Sequence, residues 1–299
     1  MSYTEIKEKN GKKYYYRVKS FREKGKVNKK RVYLGVNLDK KALSKSEEEA
    51  DGELMLLSTL LTDKEKLGLE KIKKKYSKQP KENLENRYET FVSLFTYDST
   101  NIEGNTLTLQ ETSQLLFEGI TPRKSLREIN EVINHREAFD YILSYKDDIN
   151  KKFLLKLHEI VVKNTLKSEL ESQEGRYRKV QVYIRGTNWL PPKPVNVPKE
   201  MSYLLSWYSK NKKKLHPLIL AVYFHSAFET IHPFVDGNGR VGRLLINFIL
   251  HKKKYPMVNV PKEKKYVYYG ALETSRKEGN LRPITAFFLN LLMDEKIGF

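Results

Sequence analysis

The run from Leu218 to Thr230 is strongly apolar and long enough to form a helix buried on all sides. It ends in helix breakers. Asp236-Gly-Asn-Gly239 demands a tight, glycine-dependent turn. A second helical pattern, Val241 to Lys252, starts directly after it. Any fold open to this chain must bury the first helix, turn sharply, and launch the next from a glycine-rich loop. Such a loop aims several backbone N–H groups at one point, and the helix dipole favours an anion there.

The side chains around this turn carry matching chemistry. Arg240 and Arg243 lie three apart, on one side of the first helical turns, and guanidinium forks suit a polyphosphate. Asp236 supplies a hard oxygen for Mg²⁺, which travels with nucleotide phosphates. His232, at the other edge of the turn, is a proton acceptor. A bare Gly-Asn-Gly turn near a histidine is usually only a turn. Five functional side chains in order within it point to phosphoryl or nucleotidyl transfer.

His232-Pro-Phe-Val-Asp-Gly-Asn-Gly-Arg-Val-Gly-Arg243 resembles the full signature of the Fic family, HPF-x-(D/E)-GNGR-x-x-R, with no position departing. The resemblance implies a mainly α fold, a Fic-type helical core with a β-hairpin flap. It implies an auto-inhibited protein adenylyltransferase, moving AMP from ATP to a Tyr, Thr or Ser hydroxyl of a target protein and releasing pyrophosphate. In that scheme His232 deprotonates the hydroxyl and Asp236 holds Mg²⁺. Gly237, Asn238 and Gly239 cradle the α-phosphate, and Arg240 and Arg243 hold the β- and γ-phosphates. Tyr268 and Tyr269 resemble the part of the family core that holds the adenosine end, where they either border the base or pack in the core.

Two further stretches match. Ser99-Thr-Asn-Ile-Glu103-Gly104 resembles the family's inhibitory pattern, (S/T)-x-x-x-E-(G/N), at the end of a helix expected near 85–105. There Glu103 would occupy Arg243. Arg178 to Arg185 alternates as a β-strand does, and Gly186, Pro191, Pro192 and Pro194 end it. A hairpin is expected there, with Gln181, Val182, Tyr183 and Ile184 docking an extended target peptide. The same site also permits the reverse reaction, removal of AMP.

The resemblance covers residues 85–299. Residues 41–84 read as a charged helical linker, with Leu54, Leu56, Leu57, Leu60 and Leu61 on one apolar face. Residues 1–40 read as a small basic β-rich module punctuated by Gly11, Gly25 and Gly35, with Gly25 in a KGK turn. This segment holds 13 Lys or Arg against 4 Asp or Glu, nearly half of the chain's net charge of +19. It is either a packing or dimerisation element or a nucleic-acid-binding surface. The second option makes the chain a nucleic-acid-binding regulator.

No cysteine is present, which excludes disulfides, thiolate metal sites and a cysteine nucleophile. No Walker-type phosphate loop occurs. No apolar run reaches membrane-spanning length and Met1 to Asn10 is polar, so a cytoplasmic protein is expected, as a monomer or homodimer.

Overall fold

The computed structural model describes residues 2–23, 26–58, 60–80 and 84–294, with side-chain surroundings for all of these except 21–23, 26–28, 30 and 53–58. The KGK turn at Gly25 and the side chains of Leu54, Leu56 and Leu57 lie outside the described residues. Two compact units divide the chain, Met1–Glu65 and Lys66–Phe299.

In the first unit, strands β1 (Ser2–Lys9), β2 (Lys12–Glu23) and β3 (Lys26–Val36) form an antiparallel sheet in the order β1-β2-β3. Asn10 and Gly11 join the first two strands with φ of 53° and 71°. Both values are positive, the geometry that makes Asn-Gly a favoured hairpin turn. Helix α1 (Lys40–Ser58) packs on β2 and β3. Arg17 of β2 meets Asp51 of α1 as a two-pronged pair, Nε to Oδ1 at 2.8 Å and Nη2 to Oδ2 at 2.7 Å. Thr4 and Arg17, partners in the β1–β2 register, both reach Glu47. So α1, inside the stretch read from sequence as a linker, closes one face of the sheet.

The second unit is helical: α2 (Asp63–Ser77), α3 (Leu84–Ile102), α4 (Leu109–Ser113), α5 (Leu126–Ser144), α6 (Lys151–Val162), α7 (Val197–Asn211), α8 (Pro217–Ile231), α9 (Asn238–Lys252), α10 (Lys265–Glu278) and α11 (Arg282–Met293). Its core is the α8–α9 pair. Ten of the fifteen residues of α8 are buried, and twelve of the fifteen of α9, which also packs on α3, α5 and α6. Helix α9 is therefore the more buried of the two, and it buries Asn238, Arg240 and Arg243 along with its apolar residues. Burying polar groups in this way is costly unless they find partners or a ligand.

Local chemistry sets the helix starts that frame the site. Thr108 and Ser125 each form a reciprocal capping box, with Glu111 and Glu128. Helix α4 is short: it passes into a π-turn over Gln114–Glu118 and stops at Gly119, which is left-handed. The expected hairpin over 178–192 forms no β-ladder. Its two arms flank a turn at Arg185–Gly186. Side chains join them: Gln181 Nε2 donates to Pro191 O at 3.1 Å, and Arg178 Nη2 to Pro192 O at 2.5 Å. Prolines at 191, 192 and 194 lack the N–H groups that a ladder requires.

Candidate active site

The site is the loop between α8 and α9, and it is held open by internal bonds. His232 ends α8 in the left-handed region, φ 50°, with its N–H bonded to Phe228 O at 2.9 Å. Asn238 Nδ2 donates to Phe234 O at 2.9 Å, while its Oδ1 accepts from Phe234 N at 3.0 Å. The amide thus braces the loop with one donor and one acceptor. The second N–H of Nδ2 and the backbone N–H remain for the phosphate role expected of this residue. Gly237, φ 77°, caps α9, and a Cβ there would lie 2.8 Å from Val162 Cγ1. Only glycine meets both conditions.

The first helical bond of α9 is Val241 N–H to Gly237 O at 2.9 Å. The helix makes no use of the N–H groups ahead of it. Gly237 N–H turns back to Asp236 Oδ1 at 2.6 Å, which leaves Asn238, Gly239 and Arg240 to present theirs. Arg240 and Arg243 flank this terminus, each 2 % exposed. Arg240 leans toward α5, with Nη2 on Asp236 Oδ1 at 3.2 Å and Nη1 at ion-pair distance, 3.8 Å, from Glu131 Oε1; its Nε and Nη1 make no hydrogen bond. Arg243 leans toward α3. It donates Nε–H to Ser99 Oγ at 3.0 Å and Nη2–H to Ser99 O and Glu103 Oε1, each at 2.8 Å; its Nη1 is unpartnered. Buried guanidinium donors without acceptors, beside a helix N-terminus, form a cradle for an anion with several oxygens.

Glu103 enters this cradle from the end of α3. A Cβ on Gly239 would stand 2.2 Å from its Oε1, so glycine at 239 is what lets the carboxylate settle over the α9 terminus. Asn105 anchors the end of α3 by donating to Glu131 Oε2 and Glu128 O of α5, both at 3.0 Å.

Asp236 offers one carboxylate, 37 % exposed, whose Oδ2 accepts from Arg127 Nη2 at 3.2 Å. Among the described residues no three His, Asp or Glu side chains group as a metal cage. A single hard oxygen fits magnesium delivered on nucleotide phosphates, with phosphate and water completing its shell, and does not fit an ion caged by protein.

Burial pushes the His232 imidazole down to about 4, so it is neutral at physiological pH. Its Nδ1 has no hydrogen-bond partner and stands 3.9 Å from Glu229 Oε2. Burial pushes the Glu229 carboxyl up to about 8. Tyr268 is a core residue: its ring packs on Phe287 and Phe288, its hydroxyl meets His225 Nε2 at 2.7 Å, and it is 1 % exposed. It has no open face for a base. Tyr269, 37 % exposed, does. Val182 and Ile184 of the flap are half-buried and Tyr183 is 81 % exposed.

Three residues absent from the sequence reading organise the site. Arg178, 2 % exposed, donates Nε–H to His232 O at 2.8 Å and also binds Val180 O, tying the flap to the loop. His158 stacks on Phe234 at 3.7 Å between ring centres and contacts Asp236 O at 3.1 Å. Its Nδ1 accepts from Gly175 N–H, so its proton sits on Nε2, facing the loop. Glu229 is the third. One signal was visible for it: an acid inside the apolar run of α8.

Fold and site define a helical protein that presents an anion cradle at the start of its most buried helix. The sequence model of the Fic/DOC family matches residues 148–250. A Fic family protein from Desulfovibrio desulfuricans G20 is 30 % identical with a TM-score of 0.69, covering 78 % of this chain and 73 % of that one. Fic-1 from C. elegans, residues 134–508, is 26 % identical with a TM-score of 0.67, covering 86 % and 76 %. Over 196 residues the chain is 38 % identical to protein adenylyltransferase Fic of Drosophila melanogaster. That match takes in 64 % of this chain and spans 38 % of the Drosophila protein's length. The chain belongs to the Fic/DOC family.

Proposed function

We propose that this chain transfers AMP from ATP to a side-chain hydroxyl of another protein, and that Glu103 restrains it at rest. The observation that carries the reading is the set of unpaired donors on Arg240 and Arg243 beside the free N–H groups that open α9. These suit a triphosphate, with the innermost phosphate at the helix terminus and the outer two on the arginines. The name of the Drosophila relatives, protein adenylyltransferase, supports the same chemistry.

In this reading the neutral His232 takes the proton of the acceptor hydroxyl at Nε2. The hydroxyl oxygen forms a bond to the α-phosphorus as the bond to the bridging oxygen of the β-phosphate breaks. Pyrophosphate leaves and the proton stays on the imidazole. Magnesium held by Asp236 and the phosphates would neutralise charge on the leaving group. Tyr269 borders the base. The flap residues Gln181 to Ile184, with Tyr183 exposed, dock the target segment. Glu103 competes with the outermost phosphate for Arg243.

Incubating the chain with labelled ATP, Mg²⁺ and a protein extract tests the reading. Glu103→Gly labels protein more strongly than wild type. Adding His232→Ala to it lowers labelling by about 10²–10⁴-fold, the range for loss of a general base. Equal labelling by the single and double variants would discard the mechanism.

A further inference from the structure

The sheet of the first unit has two faces, and strand periodicity assigns them. Thr4 and Arg17 share the face that α1 covers. Tyr3, Val18 and Arg31 form one register row of the opposite face, and Glu5, Tyr16 and Tyr33 the next. Contacts across the strands bear this out. The Tyr16 and Tyr33 rings lie 5.4 Å apart, Lys7 Nζ sits 5.6 Å from the Tyr16 ring, and Lys29 Nζ sits 5.8 Å from the Tyr3 ring. Tyr3 and Tyr33 are 43 % and 53 % exposed, Tyr16 is half-buried, and Val18 beneath them is fully covered. Glu5, the acid in these rows, is bonded to Arg31 at 2.9 Å, and that bond holds its carboxyl below the usual range.

We propose that this tyrosine-and-cation face binds single-stranded nucleic acid, with phosphates on Lys7, Lys29 and Arg31 and bases stacked on Tyr3 and Tyr33, which Tyr16 supports from below. Charge complementarity selects a polyanion: residues 1–40 hold 13 basic against 4 acidic side chains. The open aromatic faces narrow the choice. An acidic peptide would use the cations and leave the tyrosine rings idle. A nucleic acid strand uses both, because every base has a π-face and every nucleotide a phosphate. A duplex keeps its bases stacked inside and offers little to the rings. This surface belongs to the first unit alone and does not depend on the transferase reading.

The test is fluorescence anisotropy of a labelled, mixed-sequence single-stranded oligonucleotide titrated with the full chain at several salt concentrations. Three phosphate contacts on a single strand give a log–log salt slope of about 2. Tyr3→Ala with Tyr33→Ala weakens binding about tenfold or more and leaves that slope unchanged. Tyr3→Phe with Tyr33→Phe keeps the rings and restores binding. Lys7→Gln with Lys29→Gln flattens the slope. The far-UV circular dichroism spectrum and the melting curve are the same in all these variants, which shows that each chain is folded. The proposal is overturned if the strand does not bind at low salt, if the alanine pair binds as wild type does, or if polyglutamate or a duplex of equal length binds as tightly.

Discussion

Glu103 Oε1 lies 2.8 Å from Arg243 Nη2, and the same guanidinium is gripped twice by Ser99, one helical turn earlier on α3. In the proposed resting state the two act as a pair: Ser99 orients the arginine and Glu103 occupies it. Hydrogen bonds to charged groups are worth about 1.5–3 kcal/mol, and the exposure of Glu103 puts this one at the low end. Removing it in Glu103→Gly is expected to raise AMP incorporation by about tenfold or more. Because the same bond partners a buried guanidinium, the melting temperature should fall by a few degrees as activity rises. Unchanged incorporation, with nucleotide binding also unchanged, would remove Glu103 from the control of this site.

Acid should destabilise the folded chain. Burial holds His158 and His225 at about 3 and His216 and His232 at about 4, and places His135 well below its ordinary value. In the unfolded chain these groups titrate near 6.5. Stability from their neutral forms is complete above that value. It is lost as pH falls, because the unfolded state takes up protons that the folded state refuses. Glu229, pushed up to about 8, and Asp98, also raised by burial, act in the opposite direction. With His251 also lowered by burial, six groups against two leave a net loss, about 1.4 kcal/mol per pH unit for each uncompensated histidine. Thermal melts at pH 7.5 and pH 5 should show a clear fall in Tm, and a rise would contradict the burial of these rings.

Much of this was legible in the sequence. The burial of α8 and the β-rich start punctuated at Gly11 follow from period and local turn chemistry, and both are present. Arg178 to Arg185 misled because alternation marks a strand only when a neighbour supplies ladder partners. Here Gln181 and Arg178 claim the carbonyls of the opposing arm. The bracing role of Asn238 was not legible either: its amide satisfies the backbone of Phe234, a use visible only once the loop is folded. Arg178, His158 and Glu229 draw their meaning from groups 54, 78 and 13 positions away, at His232, Asp236 and Gly242. No local pattern encodes such pairings.

Arg127 should compete with magnesium. It sits at the start of α5, 53 % exposed, and its Nη2 rests 3.2 Å from Asp236 Oδ2, the oxygen a metal would need. An exposed pair of this kind is worth about 0.2–1 kcal/mol. Arg127→Ala is therefore expected to lower the Mg²⁺ concentration needed for half-saturation with a non-hydrolysable ATP analogue, by about two- to fivefold. Calorimetric titration reads this directly. A higher Mg²⁺ requirement in the variant would show that Arg127 helps to hold the metal-bound phosphates instead of guarding Asp236.

Gly242 and Glu229 should be coupled. A Cβ on Gly242 would lie 2.3 Å from Glu229 Oε1 and 2.9 Å from His225 Nδ1; Glu229 is half-buried and His225 fully buried. The His225 ring cannot swing into solvent and the Glu229 carboxyl must shift, so Gly242→Ala strains the α8–α9 contact. Overpacking of this kind costs about 1–3 kcal/mol. Glu229→Ala removes the nearer obstruction and with it a carboxyl oxygen that has no hydrogen-bond partner. The double variant should then be more stable than Gly242→Ala alone, with an interaction of about 1 kcal/mol or more in a double-mutant cycle by urea unfolding. Strictly additive effects would mean that the two helices tolerate the extra methyl without the carboxyl giving way.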